Sequence, residues 1–342
     1  MKRAQYLSTT FVAFFSIFSS AEAATVCPHV EGGRTIGVWW DNDMFSGTDR
    51  YYTNGMQAYY VTAPSEPTVR NRLAPVLSVP EGCVSERYGF ALGQKMFTPG
   101  DISRPIPSLD DRPYAGWLFG RVSLQSEAPK VVEQFALDLG VVGPASGAAE
   151  TQQFVHKRVP GAIYPRGWAY QLQNEPGVVL SYDRLWRNEE EQKGFGYDII
   201  PHVSASVGNI YTFGGAGATL RLGWDLPPAV GVPVASSRTV TPIPYQDATG
   251  HGFVWYLFAS AEGRLVARDI FLDGNSFRDS RSVTKIPVVG ALETGATFHL
   301  SGKVGGYDPG INLTLAHVLM SPTFTTQKGA SRYWTARLAV TF

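Results

Sequence analysis

A chain of 342 residues with 29 Lys and Arg against 29 Asp and Glu carries no formal net charge, which excludes the broad basic field of a general nucleic-acid binder. Its length suits one large domain or two ordinary ones. Hydrophobic residues reach 44% and aromatics 13%, with 36 Gly and 23 Pro, yet mean hydropathy is only −0.08; that mixture fits an all-β protein better than a helical one.

The first segment reads as a processing signal. Lys2 and Arg3 give a basic start, Tyr6 to Phe18 is largely apolar, and Ala21-Glu22-Ala23 supplies small residues where a signal peptidase cuts. Cleavage is expected after Ala23, leaving residues 24–342 as a single exported domain. No later run reaches the ~18 apolar residues of a membrane helix. Cys27 and Cys83 are the only cysteines. In an oxidising compartment a disulfide between them is favoured over two buried thiols.

The stretch from Trp39 to Gln57 then sets Asp41, Asn42, Asp43, Asp49 and Asn54 between two alternating segments. On residue types alone this is a solvated turn. Period-two alternation recurs along the rest of the chain. Phe135, Leu137, Leu139 and Val141 alternate with Gln134, Ala136, Asp138 and Gly140. Ala218, Leu220, Leu222, Trp224 and Leu226 alternate with Thr219, Arg221, Gly223 and Asp225. Trp334, Ala336, Leu338, Val340 and Phe342 alternate with Thr335, Arg337, Ala339 and Thr341. Charges on one face of long strands suit a polar barrel lumen, with the apolar face against lipid. A final alternating strand ending on Phe342 resembles the closing strand of bacterial outer-membrane barrels.

About twelve antiparallel strands are expected, near 35–41, 54–63, 87–96, 117–126, 132–142, 177–187, 196–208, 216–226, 253–267, 286–299, 308–319 and 331–342. Each is long enough to cross a bilayer at a tilt, and an even number closes a transmembrane β-barrel with both termini on one side. The connection from Pro227 to Gly252 is long for a periplasmic turn, whereas Asn188 to Lys193 reads as a solvated one. Strand parity puts the connections Asn42–Thr53, Thr98–Gly116 and Gly143–Pro176 at the outer end. They carry Asn42, Asp43 and Thr53; Arg104, Asp110, Asp111 and Arg112; and Gln152, His156, Lys157, Arg158, Tyr164 and Arg166. A lone loop histidine is more often a surface residue than a catalyst, but amides, carboxylates and several cations converging with it at one rim bring a catalytic site level with a bare surface.

These residues match a family. Asn42-Asp43 followed by Tyr52-Thr53-Asn54-Gly55 is one signature; Val142-Gly143-Pro144 with Gln152 and His156 is a second, continued by Tyr164, Pro165, Trp168 and Asn174-Glu175. The chain resembles the bacterial outer-membrane lipid A 3′-O-deacylases over essentially its whole mature length. The resemblance implies a barrel in the outer membrane that removes the 3′-linked acyl or acyloxyacyl chain of lipopolysaccharide in a calcium-dependent ester hydrolysis; a monomer is expected, with dimerisation left open. It implies His156 as general base, with Asn42, Asp43, Gln152 and Thr53 as its catalytic partners; Asn42 and Asp43 are then expected as metal or oxyanion ligands. Arg104 falls near a family lysine and, with Tyr164, is expected to contact substrate. Where the family carries an acidic residue six positions beyond the histidine, this chain has Ala162, and Glu175 or Asp49 is the available replacement.

The chemistry agrees. Ester hydrolysis needs a base, a nucleophile and stabilisation of the developing oxyanion, and an imidazole titrates in the useful range. Calcium prefers oxygen ligands, but Asp41-Asn42-Asp43 is no EF-hand, because Gly47 stands seventh and no glutamate stands twelfth. Any calcium site must therefore draw on several loops. Arg104, Arg112, Lys157, Arg158 and Arg166 suit a phosphate-bearing substrate. Two alternatives are a membrane phospholipase with Ser46 or Ser146 as nucleophile, neither in a GxSxG motif, and a non-catalytic pore or adhesin. Asp41 and Asp49 keep the solvated-turn reading.

Overall fold

Period-two sequence becomes a continuous hydrogen-bonded wall in the computed structural model, which describes residues 33–69, 84–188, 192–227, 252–302 and 309–342. The strands are β1 (Thr35–Asn42), β2 (Tyr51–Val61), β3 (Ser85–Thr98), β4 (Ala115–Glu127), β5 (Val131–Val142), β6 (Glu175–Trp186), β7 (Gln192–Gly208), β8 (Tyr211–Leu226), β9 (Gly252–Asp269), β10 (Val288–Ser301), β11 (Gly310–Met320) and β12 (Ser331–Thr341). Each pairs antiparallel with its sequence neighbours, and β1 closes the barrel on β12, with Thr35 opposite Thr341 and Asn42 opposite Trp334. All twelve expected strands are present. Their ends differ: β2 begins at Tyr51, and β7 already includes Gln192 and Lys193, which were expected in a turn. The signal segment, Cys27, Cys83 and most of Pro227–Gly252 lie outside the described residues.

Alternation sorts the two faces. Ile36, Val38 and Trp40 of β1, Leu220, Leu222 and Trp224 of β8, and Leu338 of β12 are exposed on the outer wall. Trp186, Phe195, Tyr197, Trp224, Phe253, Phe298 and Phe342 cluster at the strand ends opposite the long odd-strand loops, the position of an interfacial aromatic girdle. Leu226 was expected on this outer face but is buried inside. Asp225 takes a left-handed backbone (φ 52°) that breaks the alternation just before it.

The inner face is charged, and many of its charges pair across strands. Arg121 donates to Asp138, its cross-strand partner, at 2.6 and 2.7 Å. Arg87 donates to Glu127 at 3.0 Å, and Arg337 to Glu293 at 2.8 Å. Buried pairs of this kind contribute little net stability, but losing one partner strands a charge at a cost of about 3–5 kcal/mol. Towards the outer end the lumen becomes aromatic. Phe97 stacks on Phe271 at 4.1 Å, and Tyr52 meets Phe97 and Tyr333 at 5.4 and 4.8 Å. Phe271 belongs to a one-turn helix, Ile270–Asp273, that the β9–β10 connection pushes into the barrel mouth. At this end the described residues pack the lumen as a core.

Candidate active site

Four residues of spacing place Gln152 and His156 on one face of the same helix, since positions i and i+4 are neighbours there. That helix, α1 (Ala148–His156), starts with strong helix formers and an acidic first-turn residue, Glu150. Gln152 and His156 are buried, while Phe154 and Val155 face out. The helix lies on the outer wall of the barrel, not over its lumen. Its first residue Ala148 packs with Met96, Ile102, Tyr114 and Trp168. At Gly116, in β4, a Cβ would lie 2.0 Å from Ser146 Oγ and 2.3 Å from Ala148 Cβ, so only glycine lets the segment sit this close.

The imidazole has a defined tautomer. His156 Nδ1 lies 2.7 Å from the Ile163 carbonyl; a carbonyl only accepts, so Nδ1 carries the proton. Nε2 is then the atom able to take another, and it faces Asp49 Oδ2 at 3.4 Å. Gln152 ties the group together, donating to Asp49 Oδ1 at 3.3 Å and accepting from the Trp168 indole at 2.7 Å. Burial pushes the Asp49 carboxyl up to about 6, and the neighbouring His156 and the Gln152 hydrogen bond pull against that rise. Asp49 is thus part of the site and not a solvated turn residue. Glu175 is not its replacement: its carboxylate accepts from Asn209, Asn275 and Ser276 and straps three outer loops together.

The other half of the site comes from the β1–β2 connection. Asn42 Oδ1 accepts from Met44 N at 2.9 Å. Asp43 is fully buried, and its Oδ2 accepts from Arg50 N at 2.6 Å while Oδ1 has no hydrogen-bond partner. Burial pushes its carboxyl up to about 9, the nearby Asp49 adds to that, and the Arg50 amide opposes it. The Tyr-Thr-Asn-Gly signature now has a physical reading. The β2–β3 register slips between Tyr52 and Asn54, leaving Thr53 as a bulged residue. Its carbonyl accepts from Asp43 N at 3.2 Å, and its hydroxyl pairs with Thr98 at 2.7 Å. Asn54 donates to the Asp41 carbonyl at 2.9 Å. Gly55 leaves room for the Tyr52 hydroxyl, which would lie 2.0 Å from a Cβ there and instead reaches Asp41 Oδ2 at 2.7 Å. Tyr51 holds a left-handed backbone (φ 71°) where the strand leaves the loop, a conformation unusual for a bulky residue. Asp41 therefore points into the lumen, also accepting from the Trp39 indole at 2.6 Å; it is neither a ligand nor a solvated turn.

The cations divide. Arg112, expected to meet substrate phosphate, is buried over the Phe97 ring at 4.6 Å and donates to the Phe271 carbonyl at 3.4 Å; it anchors the barrel plug. Arg158 folds back over Phe154 at 3.5 Å. Arg104 and Arg166 are exposed on the loops, and Tyr164, also exposed, lies under the Lys157 ammonium at 5.7 Å. Ser146 donates to the Gly143 carbonyl at 2.6 Å and to no histidine, which leaves it without the base a serine nucleophile needs. Sequence reasoning offered Asp49 only as one of two replacements for the carboxylate absent at Ala162, and it missed the Thr98 partner of Thr53 and the anchoring role of Trp168. Trp168 stood in the family signature without a role, and nothing in residue type separates Asp49 from the other acids of its loop.

Asn42, Asn54, Met96 and Gly116 alternate with lumenal residues, so this polar constellation sits on the outer, lipid-facing side of the rim. A closed twelve-stranded barrel with an apolar outer belt and a built polar site at its lipid-facing edge defines an outer-membrane barrel protein equipped for work on the membrane surface. The family model described as outer membrane protein LpxR matches residues 9–342, and the chain belongs to that family. LpxR from Salmonella typhimurium has a similar structure, with a TM-score of 0.67 at 20% identity over 90% of this chain and 100% of that one. The Pseudomonas putida toluene transporter TodX aligns at a TM-score of 0.27 and 10% identity, over 90% of this chain and 89% of that one. No curated protein sequence matches the chain.

Proposed function

We propose that the protein is a lipid A deacylase that hydrolyses the 3′-O-linked acyl or acyloxyacyl ester of lipopolysaccharide in the outer leaflet. The observation that carries this reading is a buried histidine whose Nδ1 proton is committed to a carbonyl and whose Nε2 faces a carboxylate, on the lipid-facing side of the rim. Membership of the LpxR family supplies the substrate class. His156 Nε2 takes a proton from water as the oxygen attacks the ester carbonyl, and returns it to the departing sugar hydroxyl. Asp49 stabilises the imidazolium formed between those steps, and Gln152, held by Trp168, fixes Asp49. Asp49 thereby fills the role left open by Ala162.

Calcium fits as the second element. The Asp43 Oδ1 atom is buried and unpaired, and a carboxyl displaced upward by burial is one that a cation would return to its ionised form. Among the described residues no three His, Cys, Asp or Glu converge on one point. Asp43 and the Asn42 amide would therefore hold the ion together with neutral oxygens, as calcium tolerates. When bound, it supplies Lewis-acid stabilisation of the ester oxyanion. Arg104 and Tyr164 stand exposed at the loop surface to meet the headgroup.

The test is mass spectrometry of lipid A from cells producing wild type, His156→Ala or Asp43→Ala protein. Wild type is expected to yield lipid A lacking the 3′ chain and both variants to leave it intact. Intact lipid A in cells with folded wild type in the outer membrane refutes the proposal.

A further inference from the structure

On the far side of the first outer loop from His156, the outer wall carries a groove of about 490 Å³. Leu292, Thr294, His317, Leu319, Arg332 and Trp334 line it, with Ser46 of the β1–β2 connection at its edge. The strand register explains the arrangement. Thr294 pairs with His317, His317 with Trp334, and Trp334 with Asn42, so one row of outward residues runs across four strands and ends at the catalytic loop. Leu292, Leu319 and Arg332 form the adjoining row nearer the outer end. Neighbouring strands lie ~4.8 Å apart, and Arg332 stands two residues from Trp334, the partner of Asn42 on the strand next to β1.

The lining is amphipathic in a particular way. Arg332 is exposed and has no carboxylate partner among the described residues. Trp334, 44% exposed, meets the His317 ring edge-on at 5.3 Å. A guanidinium on the lipid-facing wall is disfavoured by ~2–4 kcal/mol at the midplane but by only ~0–1 near the interface, so its place is the headgroup level, where anions are. What fills a groove at that level is membrane lipid and not a soluble metabolite. The fit is to a phosphate on the guanidinium, a sugar on the indole and acyl chain along the leucines.

We propose that this groove is a subsite for the phosphorylated sugar headgroup of the glycolipid whose ester is cut at His156. Arg332 binds the phosphate and Trp334 carries the sugar ring. That the lipid is the substrate itself rests on the deacylase reading, while the existence of a phosphate-selective lipid site does not.

Purified full-length protein in detergent is titrated with diphosphorylated and with fully dephosphorylated lipid A, and bound lipid is counted by native mass spectrometry. Wild type is expected to bind the phosphorylated form about tenfold more tightly. Arg332→Gln should lose most of that preference while binding the dephosphorylated form like wild type, and Arg332→Lys should keep part of it. Trp334→Ala should weaken both forms. Full phosphate preference in Arg332→Gln overturns the proposal, as does equal weakening of both lipids. Heat-dependent gel mobility checks that each variant barrel is folded. Acyl release by wild type is scored in the same samples, so failure of the deacylase reading appears there and not in the phosphate preference.

Discussion

Replacing Asp49 with asparagine isolates the charge beside the base. Asparagine keeps the shape and an oxygen for Gln152, so what disappears is the anion 3.4 Å from His156 Nε2. Two unit charges at that distance interact by about 5 kcal/mol at an effective permittivity of ~20. The Asp49 side chain is 15% exposed, and water entering there reduces the effect to about 2–3 kcal/mol, or roughly 30- to 150-fold in kcat. The assay is fatty-acid release from detergent-dispersed lipid A at saturating substrate, repeated across pH. Because the Asp49 carboxyl is pushed up to about 6, it is protonated below that pH and ionised above it. The wild-type rate should therefore climb as pH rises through about 6, and Asp49→Asn should lose the part of that climb that Asp49 carries. A variant within about threefold of wild type, with the same pH profile, refutes the role given to Asp49.

Asp43→Asn should lower kcat by ~10²–10³, the loss typical of removing an oxyanion-stabilising group, and fatty-acid release measures it. Chelation should stop wild-type turnover and added calcium restore it; turnover that survives thorough chelation rejects a calcium requirement. Trp168→Phe removes the indole donor to Gln152 at 2.7 Å, worth about 1 kcal/mol, and should slow turnover about fivefold without unfolding the barrel. Gly116→Val should displace α1 from the wall, since even a Cβ there meets Ser146 and Ala148. Misplacement of the base by ~1 Å costs ~10² in rate, while heat-dependent gel mobility should still report a folded barrel.

How much of this was legible in sequence depends on how local the cause is. Period-two alternation is enforced at every residue by lipid outside and polar packing inside, so all twelve strands were readable, down to the charged inner face of β8. The Gln152–His156 spacing is equally local, because four residues is one helical turn. Asp41 and Asp49 both read as solvated turn acids, although Asp49 was also one of two candidates for the carboxylate absent at Ala162. Only the β1 alternation and the arrival of α1, more than a hundred residues later, send one into the lumen and the other to the histidine. Arg112 was misread for the same reason: the plug it anchors is built from Phe271, 159 residues away. Leu226 followed the strand pattern until the single left-handed residue Asp225 reversed it.

The two polar systems of the molecule differ in a way that separates structure from function. In the lumen, Asp138, Glu127 and Asp198 each face an arginine from a neighbouring strand. Those charges answer one another and ask nothing of a ligand. At the rim, Asp43 is as buried as any of them but faces no cation, and one of its oxygens has no partner. Asp49 faces a histidine that is already committed at its other nitrogen. Such groups oppose folding unless something else completes them, and perturbed carboxyls of this kind concentrate where chemistry is done. The barrel wall lies between the two systems. The strand parity that turns Asn42 outward and Asp41 inward therefore assigns the first to membrane chemistry and the second to holding the barrel together.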